Sequence, residues 1–413
     1  MENTTNKPVL GKFLRGFLEL LLLLMLVLVF FWMDGEKIIE NKVRQYVGSK
    51  NNSVETVKLP APADPVKITY QWEYGGQQYI IEENLFKSYY DFYAALPTTY
   101  SYYEGELAQN WEEEYFNMFL AHPAEDKTIP ELAIKIKELG VKNNLSDDQI
   151  VELVLSFVQN ITYDEVKAKK ILSKNNLNQL EDAENAPDYP YEVLYKKTGI
   201  CSDKSLLAYS LMRELGYGVA IFVYDAENHM SIGIKCPEKY STYDSGYCYA
   251  ETTNPGNKIG LIPDLDTVNN TASSVKEIGL FDDNQDTSLN SKIIGEAKII
   301  SRTEGKSYGG IIKTIAIQQK ITDLKVFIGK EKGLLSSMQV ALSSDQNKIT
   351  DLKNKMDKLL KKDDFSEYNN LVPKYNEKIT DYKKKLDDYN SRVNNYNQKV
   401  KEYNSLIKSF YQT

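Results

Sequence analysis

Three reactive side chains fall within one stretch of the chain, residues 189 to 260. Cys201 heads a predicted helix, and His229 and Glu251 lie on two predicted neighbouring strands. A thiol can attack a carbonyl carbon, an imidazole can carry the protons, and a carboxylate can orient the imidazole. No other stretch of the 413 residues gathers reactive groups as closely. The residue types and their order therefore predict a nucleophilic thiol site.

The predicted elements can bring these three residues together. At a helix N-terminus, the unpaired backbone N–H groups and the helix dipole favour the thiolate of Cys201, the form that attacks. Successive residues of a strand point to opposite faces. This alternation lets His229 and Glu251 face Cys201 and turns Cys236 and Cys248 to the other face.

The sequence leaves a disulfide between Cys236 and Cys248 open. Such a bond would leave one free thiol among three cysteines. Direct pairing of His229 with Glu251, however, places Cys248 opposite Ile232, four residues from Cys236. This register argues against the disulfide, and either arrangement fits the cysteine count.

The order of the predicted elements favours an α+β fold, with helices packed on an antiparallel sheet. Apolar residues recur at helical spacing in three segments, and Ser146 and Gln149 form a capping box at the start of the second. The pattern then changes to that of strands. The predicted helices run from Pro130 to Leu139, Ser146 to Asn160 and Asp203 to Leu215, and the strands from Val219 to Tyr224, His229 to Cys236 and Tyr247 to Thr253.

A family resemblance rests on the same residues. The segments YPYEVLYKKTGICSDKSLLAYSLMRELGYGVAIF, NHMSIGI and YCYAETTNPGNKIG resemble the transglutaminase-like superfamily of papain-like thiol enzymes. In its prokaryotic members a Gly-x-Cys heads the core helix, a His opens a strand, and an acid precedes a Thr on the next. Cys201, His229 and Glu251 match those positions. The upstream segment SFVQNITYDE, which contains Gln159, is also similar, and the resemblance covers about residues 130 to 262.

The resemblance implies acyl transfer at an amide bond of a peptide or protein, without a cofactor. Cys201 would attack the carbonyl, His229 would protonate the leaving amine, Glu251 would hold the imidazole, and Gln159 would donate to the oxyanion. Water would complete a hydrolysis and an amine would complete a transfer. Hydrolysis is favoured slightly, and the sequence does not show which occurs.

Two other functions remain open on the sequence alone. Many relatives have acids beside the cysteine, where this chain has Ile200 and Ser202, and many have a tryptophan close after the histidine, where it has Met230. One alternative is therefore a catalytically inactive binding module. The other is a structural surface protein that works through its C-terminal helices.

Composition excludes two classes of partner. The formal net charge is −8, with acidic and basic residues mixed, so no broad basic field is present to bind nucleic acid. Three cysteines and two histidines show none of the paired spacings of a zinc or iron–sulfur site. We therefore expect neither a nucleic-acid partner nor a metal.

An apolar run from residue 14 to 33 predicts a membrane anchor. Twenty residues at about 1.5 Å each match a hydrocarbon core of about 30 Å. The run ends in Phe-Trp-Met-Asp rather than an A-x-A-like cleavage site, which favours an uncleaved signal-anchor. Lys7, Lys12 and Arg15 come before or at its start. They predict a single-pass protein of the cell membrane, with a short cytoplasmic tail and an extracytoplasmic C-terminal part.

A β-hairpin is predicted around Gly75 and Gly76. Alternating apolar residues lead up to this pair and away from it. A two-residue turn would place Trp72 opposite Tyr79.

The last hundred residues carry heptads. Apolar residues recur every seven from Ile321 to Met356, and tyrosines recur every seven from Tyr368 to Tyr403. A polar break at residues 361–364 separates two phases of the repeat, which predicts an antiparallel coiled-coil hairpin. Pro373 predicts that the second arm begins or kinks there. Such a hairpin can self-associate, dock a protein partner, or pack only on itself.

The sequence thus predicts a chain of several parts. They are a cytoplasmic tail (1–13), a transmembrane helix (14–33), a membrane-proximal aromatic-rich region with a β-hairpin (34–128), a transglutaminase-like domain (129–265), a linker with a strand (266–310) and a coiled-coil hairpin (311–413).

Overall fold

The computed structural model describes residues 58–100, 109–173, 186–263, 265–266, 271–272, 291–292 and 295–411. Within these ranges, no helix is both long and apolar enough to cross a bilayer. The predicted tail (1–13) and transmembrane helix (14–33) lie outside the described residues, so the membrane anchor stays a prediction.

The described elements mix helices with short strands, which confirms the α+β class. The strands are β1 (Pro65–Tyr74), β2 (Gln77–Phe86), β3 (Thr162–Tyr163), β4 (Thr198–Gly199), β5 (Val219–Tyr224), β6 (His229–Lys235), β7 (Tyr247–Ala250), β8 (Leu265–Asp266), β9 (Thr271–Ala272), β10 (Ser291–Lys292) and β11 (Lys298–Ile300). The helices are α1 (Lys87–Ala94), α2 (Trp111–Leu120), α3 (Thr128–Lys142), α4 (Asp147–Gln159), α5 (Glu165–Ser173), α6 (Pro190–Lys196), α7 (Cys201–Glu214), α8 (Ile311–Leu360) and α9 (Phe365–Tyr411). Short 3-10 turns cover Asp225–Glu227, Glu238–Tyr240 and Thr242–Asp244.

The centre of the fold is a four-stranded antiparallel sheet in the order β11-β5-β6-β7. Helix α7 packs against β5 and β6, and its Leu207 and Leu211 share a buried core with Met230 and Ile232. The opposite face carries a smaller cluster that includes Phe222. Because both faces are covered, the strands are almost continuously apolar.

Helix α4 begins where the sequence predicts. The hydroxyl of Ser146 accepts from the backbone N–H of Gln149, and the side chain of Gln149 accepts from the N–H of Ser146. This capping box satisfies two of the free N–H groups at the helix start. Helix α4 packs on both α3 and α7, and so ties the start of the domain to the central helix.

The N-terminal hairpin has the predicted register. Trp72 pairs with Tyr79 across β1 and β2, and the turn residues Gly75 and Gly76 both have positive φ, as a two-residue turn requires. The Trp72 ring contacts Phe157 of α4 edge-on. The hairpin is therefore part of the same hydrophobic core as the central sheet.

The register between β6 and β7 differs from the prediction by two residues. Ile232 pairs with Ala250 rather than with Cys248, because Glu251 lies beyond the end of β7 and does not pair directly with His229. The shift places Cys236 diagonally across from Cys248. The two form a disulfide, with their Cα atoms 5.7 Å apart.

The two sheet faces also differ from the prediction. Cys236 and Cys248 lie on the face that packs against α7, and Tyr224 and Tyr249 line the other. His229 is the first residue of β6, so it lies at the end of the sheet. It can reach the start of α7 without lying under the helix.

The two C-terminal helices form an antiparallel hairpin. Helix α8 ends at Leu360 and α9 begins at Phe365, on either side of the predicted break. Helix α9 runs through Pro373, so the alternative that this arm begins at the proline is wrong. Ion pairs join the arms in antiparallel order: Lys320 with Glu402, Glu331 with Arg392, Asp345 with Lys385 and Lys355 with Glu367.

Buried residues of α8 follow the predicted heptad positions. Ile321, Ile328, Leu335, Leu342 and Met356 are all buried against the second arm or the domain. The contacts establish a helical hairpin, and its supercoiling stays a prediction.

The base of this hairpin contacts the domain. Ile311 is part of the central core, and Leu261 packs on a cluster formed by both arms near Ile321 and Phe410. Gly260 has a φ of +88° and lies so close to Ile311 that a Cβ atom would approach its Cδ1 to 1.9 Å. Only a glycine fits this junction.

Candidate active site

Cys201 is the first residue of α7 and is a free, buried cysteine. The preceding residue, Ile200, has extended backbone and caps the helix. Asp203 in the first turn accepts a hydrogen bond of 2.9 Å from the N–H of Ile200. The backbone before Cys201 is therefore fixed by its own helix.

Asp203 is itself neutralised by a lysine. Its carboxylate lies 2.9 Å from Nζ of Lys167 in α5 and accepts a second backbone bond of 2.8 Å from Asp188. Burial raises the pKa of Asp203, and the Lys167 ammonium opposes that rise. The ion pair keeps an uncompensated negative charge away from Cys201.

His229 and Glu251 form a buried pair. Nε2 of His229 lies 3.0 Å from Oε2 of Glu251, and neither side chain is exposed to solvent. The carboxylate of Glu251 therefore contacts the imidazole. It does so from the residue that follows β7, and not from a paired strand position.

Glu251 accepts from several further donors. Its Oε1 accepts from the N–H groups of Thr252 and Thr253 at 2.9 and 2.8 Å, and from the Thr253 hydroxyl at 2.7 Å. The hydroxyl of Tyr249 donates to Oε2, beside His229. Both oxygens are therefore fixed in position before any substrate binds.

The pair is charged near neutral pH. Burial alone would lower the pKa of His229, but the charge of Glu251 and the nearby Cys201 side chain raise it to about 10. Burial alone would raise the pKa of Glu251, but the charge of His229 and its hydrogen bonds lower it to about 2. An imidazolium facing a carboxylate is the favoured state.

The second ring nitrogen of His229 is left for the thiol. Nδ1 is buried and makes no hydrogen bond of normal geometry with any described residue. Cys201 is close enough to raise the pKa of the ring. Nδ1 is thus the atom that can exchange a proton with Cys201, and catalytic hydrogen bonds are often loose without substrate.

Gln159 clamps the loop that follows Glu251. Its Nε2 donates to the backbone oxygens of Glu251 and Asn257, at 2.8 and 3.0 Å, and its Oε1 accepts from Gly256 at 3.2 Å. Both amide hydrogens already have partners. The role of oxyanion donor, predicted from the sequence, stays a prediction, and the contacts indicate a positioning role.

Tyr163, in the segment upstream, also borders the site. Burial raises the pKa of its phenol, and the charges of Cys201 and Glu251 raise it further. A backbone hydrogen bond from Cys201 acts in the opposite direction. This side chain therefore lies against the start of α7.

Sequence reasoning missed Lys204, which lies one helical turn after Cys201. It is fully buried, and its ammonium contacts backbone near both Gln159 and Glu251. The spacing of three residues places Lys204 on the same side of the helix as Cys201, and that was the one signal available. In the ranges that the structure covers, no cluster of His, Cys, Asp and Glu is arranged to hold a metal ion.

Comparison with known proteins gives one match. Residues 128–252 match the family model of a transglutaminase-like domain, which confirms the resemblance seen in the sequence. The matched range contains Gln159, Cys201, His229 and Glu251. No characterised protein and no solved structure gave a significant match to the chain.

Proposed function

We propose that this chain, which contains a transglutaminase-like domain, is a membrane-anchored thiol enzyme that acts on amide bonds of peptides or proteins. The observation that carries the proposal is the set of contacts made by the two ring nitrogens of His229. Its Nε2 is held by Glu251, while its Nδ1 is buried, has no ordinary hydrogen-bond partner and lies beside Cys201. An imidazole placed between a thiol and a carboxylate is the arrangement that nucleophilic cysteine chemistry needs.

The proposed reaction has two halves. Cys201 reacts as a thiolate beside the imidazolium of His229, whose Nδ1 carries the proton, and its sulfur attacks the amide carbonyl carbon. The imidazolium then gives that proton to the nitrogen of the leaving amine, the C–N bond breaks, and a thioester remains on Cys201. Hydrolysis follows when water attacks the thioester, and transfer follows when an amine attacks it. We favour hydrolysis because water is the more abundant nucleophile.

Glu251 would act through His229. Its hydrogen bond to Nε2 leaves Nδ1 to face the thiol, and its charge stabilises the imidazolium that forms. The donors from Thr252, Thr253 and Tyr249 keep this carboxylate ionised and still. Little reorganisation would then be needed when the proton moves.

The extracytoplasmic location is proposed on two grounds. The apolar run at residues 14–33 is long enough to cross a bilayer. The disulfide between Cys236 and Cys248 belongs to a class that persists in oxidising compartments. Beyond the membrane, the C-terminal hairpin would supply a docking or self-association arm.

Alkylation of the free thiol tests the proposal. Among the three cysteines, Cys236 and Cys248 are joined, so iodoacetamide labelling of the native protein reports on Cys201. We expect labelling near pH 6, where an ordinary thiol is almost wholly protonated. His229→Ala should move the reaction to higher pH, because it removes the cation beside the thiolate. Cys201→Ser is the negative control for labelling. An electrophilic peptide probe should form its covalent adduct on Cys201.

The second candidate is a binding module without catalysis. The observation that favours it is burial, since Cys201 is 6% exposed and His229 3%. A substrate could reach the thiol only after its neighbours move. If Cys201 labels only above about pH 8, and His229→Ala leaves the profile unchanged, the enzyme proposal is wrong and the binding module replaces it.

A further inference from the structure

Lys204 is a lysine with no access to solvent. Its side chain lies at the second turn of α7, with a relative exposure of 0%. A buried ammonium is costly unless its donors all find partners. Lys204 meets that condition: Nζ donates to the backbone oxygens of Gln159 at 3.0 Å, Ile161 at 2.7 Å and Thr253 at 2.8 Å.

These three oxygens come from two separate segments. Gln159 and Ile161 lie at the end of α4 and just after it, and Thr253 lies two residues after Glu251. The ammonium therefore joins α7 to both segments at one point. The other groups of this region that act on its charge are Glu251 and Cys201, and both favour the protonated form.

The next residue of α7 strengthens the same connection. The hydroxyl of Ser205 lies 3.1 Å from the backbone oxygen of Met230 and 3.0 Å from the hydroxyl of Thr252. Met230 follows His229, and Thr252 follows Glu251. Both residues of the buried pair are thus tied to α7 through their neighbours in the chain.

The protonation state of Lys204 sets how many of the three backbone oxygens can receive a hydrogen bond. An ammonium has three N–H groups, which matches three carbonyl oxygens, whereas a neutral amine has two. Burial lowers the pKa of Lys204 to about 7, and the charges of Glu251 and Cys201 oppose that change. Loss of the proton would leave one oxygen facing a lone pair, in a place without access to solvent.

We propose that Lys204 is a positioning residue of the active site: the N–H groups of its Nζ hold the segments of Gln159 and Glu251 at a fixed distance from the helix that begins at Cys201. The inference rests on the proposed function in naming this site catalytic. Lys204 donates to backbone oxygens only, at the end of α4 and just after Glu251, and acts through them. Its effect should therefore appear at His229, the partner of that carboxylate.

The ring of His229 provides the test. The chain has two histidines, so imidazole NMR signals are few, and His122→Ala assigns them. Even the neutral amine keeps two N–H donors over the pH range in which His229 titrates, and Lys204→Met removes all of them, so Glu251 should lose its fixed distance to the ring. We expect the titration midpoint of His229 to fall by about one pH unit or more, since one unit corresponds to a tenfold weaker preference for the charged form.

A matched variant separates positioning from loss of stability. Leu207→Ala removes core volume from the same helix, one turn further along, without touching the three oxygens. It should lower the melting temperature and leave the His229 midpoint where it is. An unchanged midpoint in folded Lys204→Met, or an equal shift in Leu207→Ala, would overturn the proposal.

Chemical rescue covers the case in which Lys204→Met does not fold. Lys204→Ala leaves room for a small ammonium ion, and ethylammonium can donate to the same oxygens. We expect it to restore the midpoint, whereas tetramethylammonium, which has no N–H group, should not. Failure of ethylammonium to restore either the fold or the midpoint would also overturn the proposal. The outcome is independent of thiol labelling, so a failed function and a failed positioning role can be told apart.

Discussion

Two buried bases in this site respond to pH in opposite directions. The pKa of His229 is raised from 6.5 to about 10, so its contribution to stability is complete below pH 6.5 and is lost as pH rises towards 10. The pKa of Lys204 is lowered from 10.5 to about 7, so its ammonium is a penalty below pH 7 that disappears as pH rises towards 10.5. Between about pH 7 and 10 the two effects offset each other.

This opposition predicts the pH dependence of stability. In His229→Gln only the lysine remains, so the free energy of unfolding should rise between pH 7 and 9.5, while that of the wild type stays flatter. Urea unfolding at several pH values measures both slopes. His122→Gln, at a half-buried loop position, is the control and should follow the wild type. Equal slopes in the wild type and His229→Gln would contradict the opposed shifts.

The residues of the site were predictable to different degrees. Cys201, His229 and Glu251 stand out because reactive types are rare in this chain and their order is distinctive. Lys204 could not be identified in the same way. Its burial depends on three carbonyl oxygens from segments about 45 residues away on either side, and no local pattern encodes such contacts.

At the scale of elements, local sequence patterns predicted the starts of elements and the hairpin turn correctly, but not the register between β6 and β7. The capping box at Ser146, the hairpin register at Trp72 and the start of β6 at His229 all follow from short-range rules, and all are confirmed. The register of β6 with β7 was wrong by two residues. The sequence reasoning assumed that His229 and Glu251 must face each other directly, but a carboxylate just beyond a strand end reaches the ring diagonally.

The disulfide that this register permits should stabilise the sheet without serving the chemistry. It closes a loop between residues separated by 12 positions, on the face that packs against α7. Replacing Cys236 and Cys248 together by Ser should lower the free energy of unfolding by about 2 to 4 kcal/mol. Urea unfolding measures that loss.

Labelling of Cys201 is the companion measurement. Its pH profile should be unchanged in the double variant, because His229 and Glu251 are held by other contacts. A shifted profile would mean that the disulfide helps to position the buried pair.

At the scale of the whole molecule, the two arms of the hairpin pack against each other through one side of each long helix. Leu335 and Leu342 of α8 are 9% and 8% exposed, whereas the nearby Leu334 and Val340 are 41% and 70% exposed. Aspartate at either buried position places a charge between the arms without a partner. We expect Leu335→Asp or Leu342→Asp to lower the helical signal and its melting temperature by circular dichroism. Leu334→Asp and Val340→Asp should change neither, and equal effects at all four positions would mean that the arms do not pack through this side.

The length of the hairpin sets how far its tip lies from its base. Phe410, near the end of α9, lies beside Lys258, in the loop that Gln159 clamps behind Glu251. Helix α8 has 50 residues, so at about 1.5 Å per residue the turn at residues 361–364 is about 75 Å from this base. A partner bound at that turn would be held about 75 Å from this base, so the hairpin would act as a ruler. Removing one heptad from each arm would shorten the ruler by about 10 Å and leave the ion pairs near its base in step.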